Sequence, residues 1–311
     1  MDPEVAALLP TLEADTARTL ELLRTDVEGL RRRREELVAP TRGTGPDVRL
    51  QEDRVIDGPG GPLNLHIIIP EEPKAAYLHI HGGGWVLGSE KNQDPMLRRL
   101  ATEAGVAVVS VGYRLAPENP YPAGLDDCMA AAAWIEASMD ILGVVDEDAI
   151  YIGGESAGAN LAVATLLRRR DELEAPMRGA VLTFGVFSAI YDLPSMKAMW
   201  DRELVLSGPI MSYFSEAYAP GRDLKHPYIS PLYADLKGLP PAIFTVGTLD
   251  HLYSDTKLMA EAWQAAGNEC VVREYVDGFH GFTGHPIALA RSAHAAINDW
   301  LKVRVSSAVS E

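Results

Sequence analysis

At 311 residues, 47% of them apolar, the chain can bury the core of one large α/β domain with an insertion, or of two small domains, and wholesale disorder is excluded. A formal charge of −16 at neutral pH argues against nucleic acid and anionic membrane surfaces as partners, and weighs against a strongly anionic substrate. Two cysteines cannot make a disulfide framework: Cys128 sits in an Ala-rich helical run and Cys270 in a strand, the pattern of buried thiols in a reducing compartment.

The start, Met1-Asp2-Pro3-Glu4, lacks the basic and apolar regions of a signal peptide. No apolar run approaches the ~18 residues of a membrane span, so a soluble cytoplasmic protein is expected. From residue 5 to 38, Leu8, Leu12, Leu20, Leu23, Val27 and Leu30 recur at helical spacing, which predicts an amphipathic helix broken once. Arg31 to Arg34 are followed by Glu35-Glu36 and read as a solvated helix end. Pro40 to Pro46 is a Gly/Pro linker.

Arg54 to Asp57 and Leu63 to Ile69 flank a Gly/Pro cluster, predicting a hairpin or meander. Ala75 to Ile80 is a third strand that runs into His81-Gly82-Gly83-Gly84-Trp85. Apolar strands then alternate with helices: Val106 to Val111 before a helix over Gly124 to Ala137, and Ala149 to Ile152 before a helix over Leu161 to Leu167. Ala180 to Val186 follows; Ala242 to Val246 precedes a helix over Tyr253 to Ala266, and Cys270 to Tyr275 precedes one over Ile287 to Val303. This rhythm predicts a mostly parallel sheet covered on both faces. It lapses from Ser188 to about Lys225, where Met196, Met199, Trp200, Met211, Tyr213, Phe214 and Tyr218 fall among Pro and Gly. The expected organisation is therefore a core over 46–187 and 226–311, with a helical cap built from 1–45 and the 188–225 insertion.

The chemistry-bearing residues follow strands, where ligands bind in an open parallel sheet. Gly154-Glu155-Ser156-Ala157-Gly158 lies between a strand and a helix, a turn too tight for side chains at its glycines, lifting Ser156 above the sheet edge. The triple glycine after His81 leaves backbone N–H groups bare, so Gly83 and Gly84, with Ala157, could form an oxyanion hole. Asp250 and His280 each end a late strand, and Ser, Asp, His is the order of an α/β-hydrolase. Those three types supply a nucleophile, a base for its proton, and a carboxylate to fix the base's tautomer. Asp255 is a rival acid, placed one turn into a helix; His285, before Pro286, is a rival base; His251 should point elsewhere from the Asp250 loop. The remaining histidines, among them His66, His79 and His226, show no metal-ligand spacing, so no metal or other cofactor is expected.

At this point the chain resembles the hormone-sensitive lipase-like (bacterial family IV) carboxylesterases of the α/β-hydrolase fold. The resemblance rests on His81-Gly82-Gly83-Gly84-Trp85, Tyr113-Arg114-Leu115-Ala116-Pro117-Glu118, Gly154-Glu155-Ser156-Ala157-Gly158, Ser230-Pro231-Leu232 and Gly278-Phe279-His280-Gly281-Phe282. It covers about residues 54 to 304. It implies hydrolysis of carboxylic esters, with Ser156, Asp250 and His280 as triad, Gly83, Gly84 and Ala157 as oxyanion donors, and His81 as a loop-ordering residue. It also implies a homodimer. Glu155 departs from the family's usual Asp and is expected to support the elbow. The cap residues Met199, Met211 and Phe214, with Trp85, are expected to wall a pocket for small uncharged esters of short to medium acyl chain. An amidase, arylformamidase or lactone hydrolase would use the same triad. A non-catalytic small-molecule receptor on this fold would lack its base, which is present here.

Overall fold

The computed structural model describes residues 1–173 and 175–307. Eight strands form one sheet: β1 (Leu50–Gly58), β2 (Gly61–Ile69), β3 (Ala75–Ile80), β4 (Val106–Gly112), β5 (Ile150–Glu155), β6 (Gly179–Thr183), β7 (Ala242–Leu249) and β8 (Cys270–Phe279). Their spatial order is β1-β2-β4-β3-β5-β6-β7-β8. The predicted hairpin is present, with Gly58 opposite Gly61, and β1 and β2 are antiparallel. β2 also meets β4 antiparallel, while every pairing from β4 through β8 is parallel. This is an α/β-hydrolase architecture, a mostly parallel sheet flanked by helices.

The helices are α1 (Pro3–Thr25), α2 (Val27–Val38), α3 (Asp94–Ala104), α4 (Ala123–Glu136), α5 (Met139–Leu142), α6 (Ala157–Leu173), α7 (Pro194–Ala198), α8 (Gly208–Tyr218), α9 (Tyr253–Ala265) and α10 (Ala288–Ser307). The break expected between residues 5 and 38 falls at Asp26, whose carboxylate accepts from Gly29 N–H (2.8 Å) and caps α2. Sequence reading passed over α3, although a parallel β3–β4 crossover requires a covering element. Its signals are Pro95 in the first turn, buried Leu97, Leu100, Ala101 and Ala104 at helical spacing, and Gly105 as a left-handed C-cap (φ 71°). β6 stops at Thr183 rather than Val186, because Phe184 turns to a positive φ of 34°.

Leu97, Leu100 and Ala101 of α3 and Ile297, Trp300 and Leu301 of α10 share one apolar cluster with Tyr77, Val108, Tyr151 and Val181 from the sheet. A larger cluster on the other face joins Leu125, Cys128 and Ile135 of α4, Leu161 and Leu167 of α6, and Met259 and Trp263 of α9 to the strands. Leu23 and Leu30 of the N-terminal helices enter this same cluster with Met211, Phe214 and Tyr218 of α8. α1 and α8 touch, and Thr16 Oγ accepts from Val205 N–H (2.7 Å), so the N-terminal segment and the insertion meet. At its start α1 sends Val5 into a third cluster with Phe279, Phe282 and Ile287, around the end of β8. Among the described residues, no helix is long and apolar enough to cross a membrane.

Candidate active site

The elbow between β5 and α6 depends on its glycines. A Cβ at Gly154 or Gly158 would collide with the Ile80 carbonyl of the neighbouring strand. Ser156 itself sits at φ 56°, a left-handed conformation that a side chain adopts only when its surroundings hold it. Its N–H donates to Thr183 O (3.0 Å), and its carbonyl accepts from Asn160 N–H (3.2 Å) and Val186 N–H (3.4 Å). Held on both sides, the serine projects its oxygen at the carboxyl edge of the sheet, with the N-terminus of α6 behind it.

The loops after β7 and β8 bring Asp250 and His280 to that oxygen. His280 Nε2 lies 3.0 Å from Ser156 Oγ, and Nδ1 lies 3.0 and 3.1 Å from the two Asp250 oxygens. An ionised Asp250 accepts only, which puts the ring proton on Nδ1 and leaves Nε2 free to accept from the serine hydroxyl. Asp250 is wholly buried and also accepts from Leu252 N–H (2.8 Å). The edge of Phe184 packs on the His280 ring at 4.9 Å.

The rivals lie elsewhere in the same neighbourhood. Asp255 spends one oxygen on the N–H groups of Phe187 (3.0 Å) and Ser188 (2.9 Å), and burial pushes its pKa up to about 7. His251 turns its Nε2 onto the carbonyls of Met199 (2.9 Å) and Arg202 (3.0 Å), anchoring the insertion. The His285 ring meets Phe279 edge-on at 5.1 Å, and burial holds its pKa down. Among the remaining histidines, His79 is buried between Ser110 Oγ (2.8 Å) and Glu155 Oε2 (3.2 Å), and His66 between Asp53 (2.7 Å) and Asp94 (2.8 Å). Among the described residues, no three His, Cys, Asp or Glu side chains group to hold a metal ion.

The glycine loop after β3 folds back on the elbow: a Cβ at Gly82 would lie 2.7 Å from Glu155 O. Gly83, Gly84 and Trp85 have φ of 126°, 62° and 61°, three consecutive left-handed residues. Among the described residues, no acceptor takes the N–H groups of Gly83, Gly84 or Ala157, so three donors remain unspent. His81 is neutral here, its pKa pushed down to about 3 by burial; its ring stacks on Tyr113 at 4.3 Å and donates from Nδ1 to Gly82 O at 2.9 Å.

The four expected pocket residues are placed unequally. The Phe214 ring lies against Gly84, where any Cβ would strike it, so it borders the bare N–H groups. Trp85 is 1% exposed and stacks face to face on Tyr218 at 4.4 Å, which makes it a strut inside the core rather than a wall open to a ligand. Met211 is buried in the apolar cluster that joins α8 to the core, and Met199 is partly exposed. Sequence reading missed two members of this neighbourhood. Phe184 carries no local signal. Arg31, read as solvated, instead turns inward onto the carbonyls of Val86 and Ala116.

Comparison with known proteins agrees with this fold. The alpha/beta hydrolase fold family matches residues 77–284. Carboxylesterase NlhH of Mycobacterium tuberculosis is 32% identical over 260 residues, covering 80% of this chain and 80% of that protein. Esterase LipI of the same species is 33% identical over 289 residues, covering 90% of this chain and 88% of that one. The solved structure of a hyperthermophilic esterase from the archaeon Pyrobaculum calidifontis superposes with a TM-score of 0.85 at 34% identity, over 92% of this chain and 96% of that one. The chain belongs to the α/β-hydrolase fold family, in its hormone-sensitive lipase-like branch.

Proposed function

We propose that this enzyme hydrolyses small uncharged carboxylic esters of short to medium acyl chain through an acyl-enzyme formed on Ser156. The observation that carries the reading is one imidazole bridging two groups, with Nε2 at 3.0 Å from Ser156 Oγ and Nδ1 at 3.0 Å from Asp250. As Oγ attacks the ester carbonyl carbon, its proton passes to His280 Nε2, and buried Asp250 stabilises the imidazolium. The carbonyl oxygen becomes an oxyanion and accepts from the unspent N–H groups of Gly83, Gly84 and Ala157. Collapse breaks the bond to the alcohol, which leaves with the proton from Nε2. A water molecule, deprotonated by the same nitrogen, then attacks the acyl group and releases the acid and free Ser156.

Esterases among the relatives support the reaction class. The acyl-chain range rests on Phe214, whose ring borders the oxyanion loop, with Met211 on the same helix and Met199 elsewhere in the insertion. Ser156→Ala should lower kcat for a p-nitrophenyl butyrate ester by roughly 10³-fold or more with the circular dichroism spectrum unchanged. Intact-mass spectrometry after an organophosphonate should find one adduct, on Ser156. An adduct elsewhere, or full turnover in the alanine variant, rejects the assignment.

A further inference from the structure

We infer that Arg31 is a positioning residue for the oxyanion loop, through which docking of the N-terminal helices sets the direction of the Gly83 and Gly84 N–H groups. The inference rests on the hydrolytic reading above. Gly83, Gly84 and Trp85 are three left-handed residues in a row. Glycine tolerates that conformation, but Trp85 carries a Cβ and a large ring, and keeps a φ of 61° only because its neighbours leave it no other.

Most of those constraints come from the core and from α8. Val86 and Leu87 N–H close back on Gly83 O at 3.2 and 2.9 Å, Ala116 N–H donates to Trp85 O at 2.9 Å, and the Trp85 ring stacks on Tyr218. The Val86 carbonyl is held instead from α2: Arg31 Nε donates to it at 2.9 Å. The same guanidinium donates from Nη2 to Ala116 O at 2.8 Å and to Glu118 Oε2 at 2.9 Å, and from Nη1 to Glu118 Oε1 at 3.3 Å. Glu28, one turn back on α2, also pairs with Nη1. One planar fork therefore ties the loop over 83–87 to the segment over 116–118, the two stretches that Ala116 already joins. Only Arg has that reach and that set of donors; a Lys ammonium is a point charge and cannot hold two carbonyls and a carboxylate in one plane. The Arg31 side chain is 18% exposed, well out of the solvent expected for a charge run at a helix end.

The loop's N–H groups act on charge that exists only in the transition state, so a misaligned loop should cost turnover and spare ground-state binding. In the full chain, Arg31→Lys should lower kcat for p-nitrophenyl butyrate about ten- to a hundredfold, the scale of a small misplacement at a reacting centre. KM should stay within about threefold, because ground-state binding is untouched. A trifluoromethyl ketone adds to the serine oxygen and leaves an oxyanion in the hole, the serine proton passing to His280. Its Ki should rise by the same factor as kcat falls, while the Ki of the parent methyl ketone should not move.

Three results would overturn the inference: unchanged kcat, a KM increase at constant kcat, or a loss that vanishes when rates are divided by sites titrated with an organophosphonate. Should Arg31→Lys not fold, the Glu28→Gln, Glu118→Gln double variant removes both ionic partners and leaves Arg31 in place. A kcat loss at constant KM in that variant supports the positioning role, and an unchanged kcat rejects it. Failure of the hydrolytic reading would be visible beforehand, as a wild-type chain with neither turnover nor a Ser156 adduct.

Discussion

Two buried carboxylates five positions apart carry different duties because their hydrogen bonds differ. Asp250 faces the His280 ring, whereas Asp255 has turned an oxygen onto two backbone N–H groups. Asp250→Asn should therefore reduce kcat by roughly 10⁴-fold, since the amide favours the wrong imidazole tautomer. Asp255→Asn should cost far less, because an amide oxygen can still accept from Phe187 and Ser188. Steady-state kinetics on both variants, with folding checked by circular dichroism, decides this; equal losses would mean that the orienting acid has been misassigned. The same comparison separates a carboxylate that acts on the base from one that only braces the loop over 187–188.

Among the elements, α8 does two things at once. Tyr218 stacks on Trp85 and so braces the glycine loop after β3, while Phe214, one turn earlier, lies directly against Gly84. The insertion is pinned to the loop after β7 by His251, which reaches the Met199 and Arg202 carbonyls, and by Ser195 Oγ, which donates to His251 O at 2.7 Å. Phe214→Ala should open space beside Gly84 and raise the octanoate-to-butyrate ratio of kcat/KM. A change of about 1–3 kcal/mol in discrimination is the scale for an apolar contact of this size. Superimposable chain-length profiles for the variant and wild type would place the acyl group elsewhere.

For the whole molecule, buried titratable groups set opposing pH slopes on stability. Burial holds His81 neutral, with its pKa down at about 3, and also lowers the pKa of His251 and His285. Below their ordinary value of 6.5 the unfolded chain binds protons that the folded chain refuses, so this stability is present above pH 6.5 and is lost as pH falls toward 3. Asp255 runs the other way: burial raises it from 3.8 to about 7, so its contribution is complete below pH 3.8 and is lost as pH rises through 7. Melting temperatures measured from acid to alkaline buffer should fall on the acid side in wild type and in Asp255→Asn alike. Above about pH 7 the Asn variant should melt higher relative to wild type than it does in acid. A difference between the two that is independent of pH would mean that Asp255 titrates normally.

What the sequence determined by itself is local. The glycines of the elbow, the strand-helix alternation and the placing of Ser156, Asp250 and His280 each just after a strand follow from short-range sterics and periodicity, readable within a few residues. The tertiary structure decided whatever depends on partners distant in the chain. His280 meets Ser156 across 124 positions, and Arg31 finds Val86 across 55 and Ala116 across 85. A run of four arginines before two glutamates looks the same in sequence whether it faces water or a row of carbonyls. Only the docking of α2 supplies acceptors that hold Arg31 inward against its preference for solvent. Trp85 is the converse case. Its place beside the glycine loop suggests a pocket wall, yet a ring that finds a flat partner in Tyr218 gains more from stacking and burial than from facing a cleft.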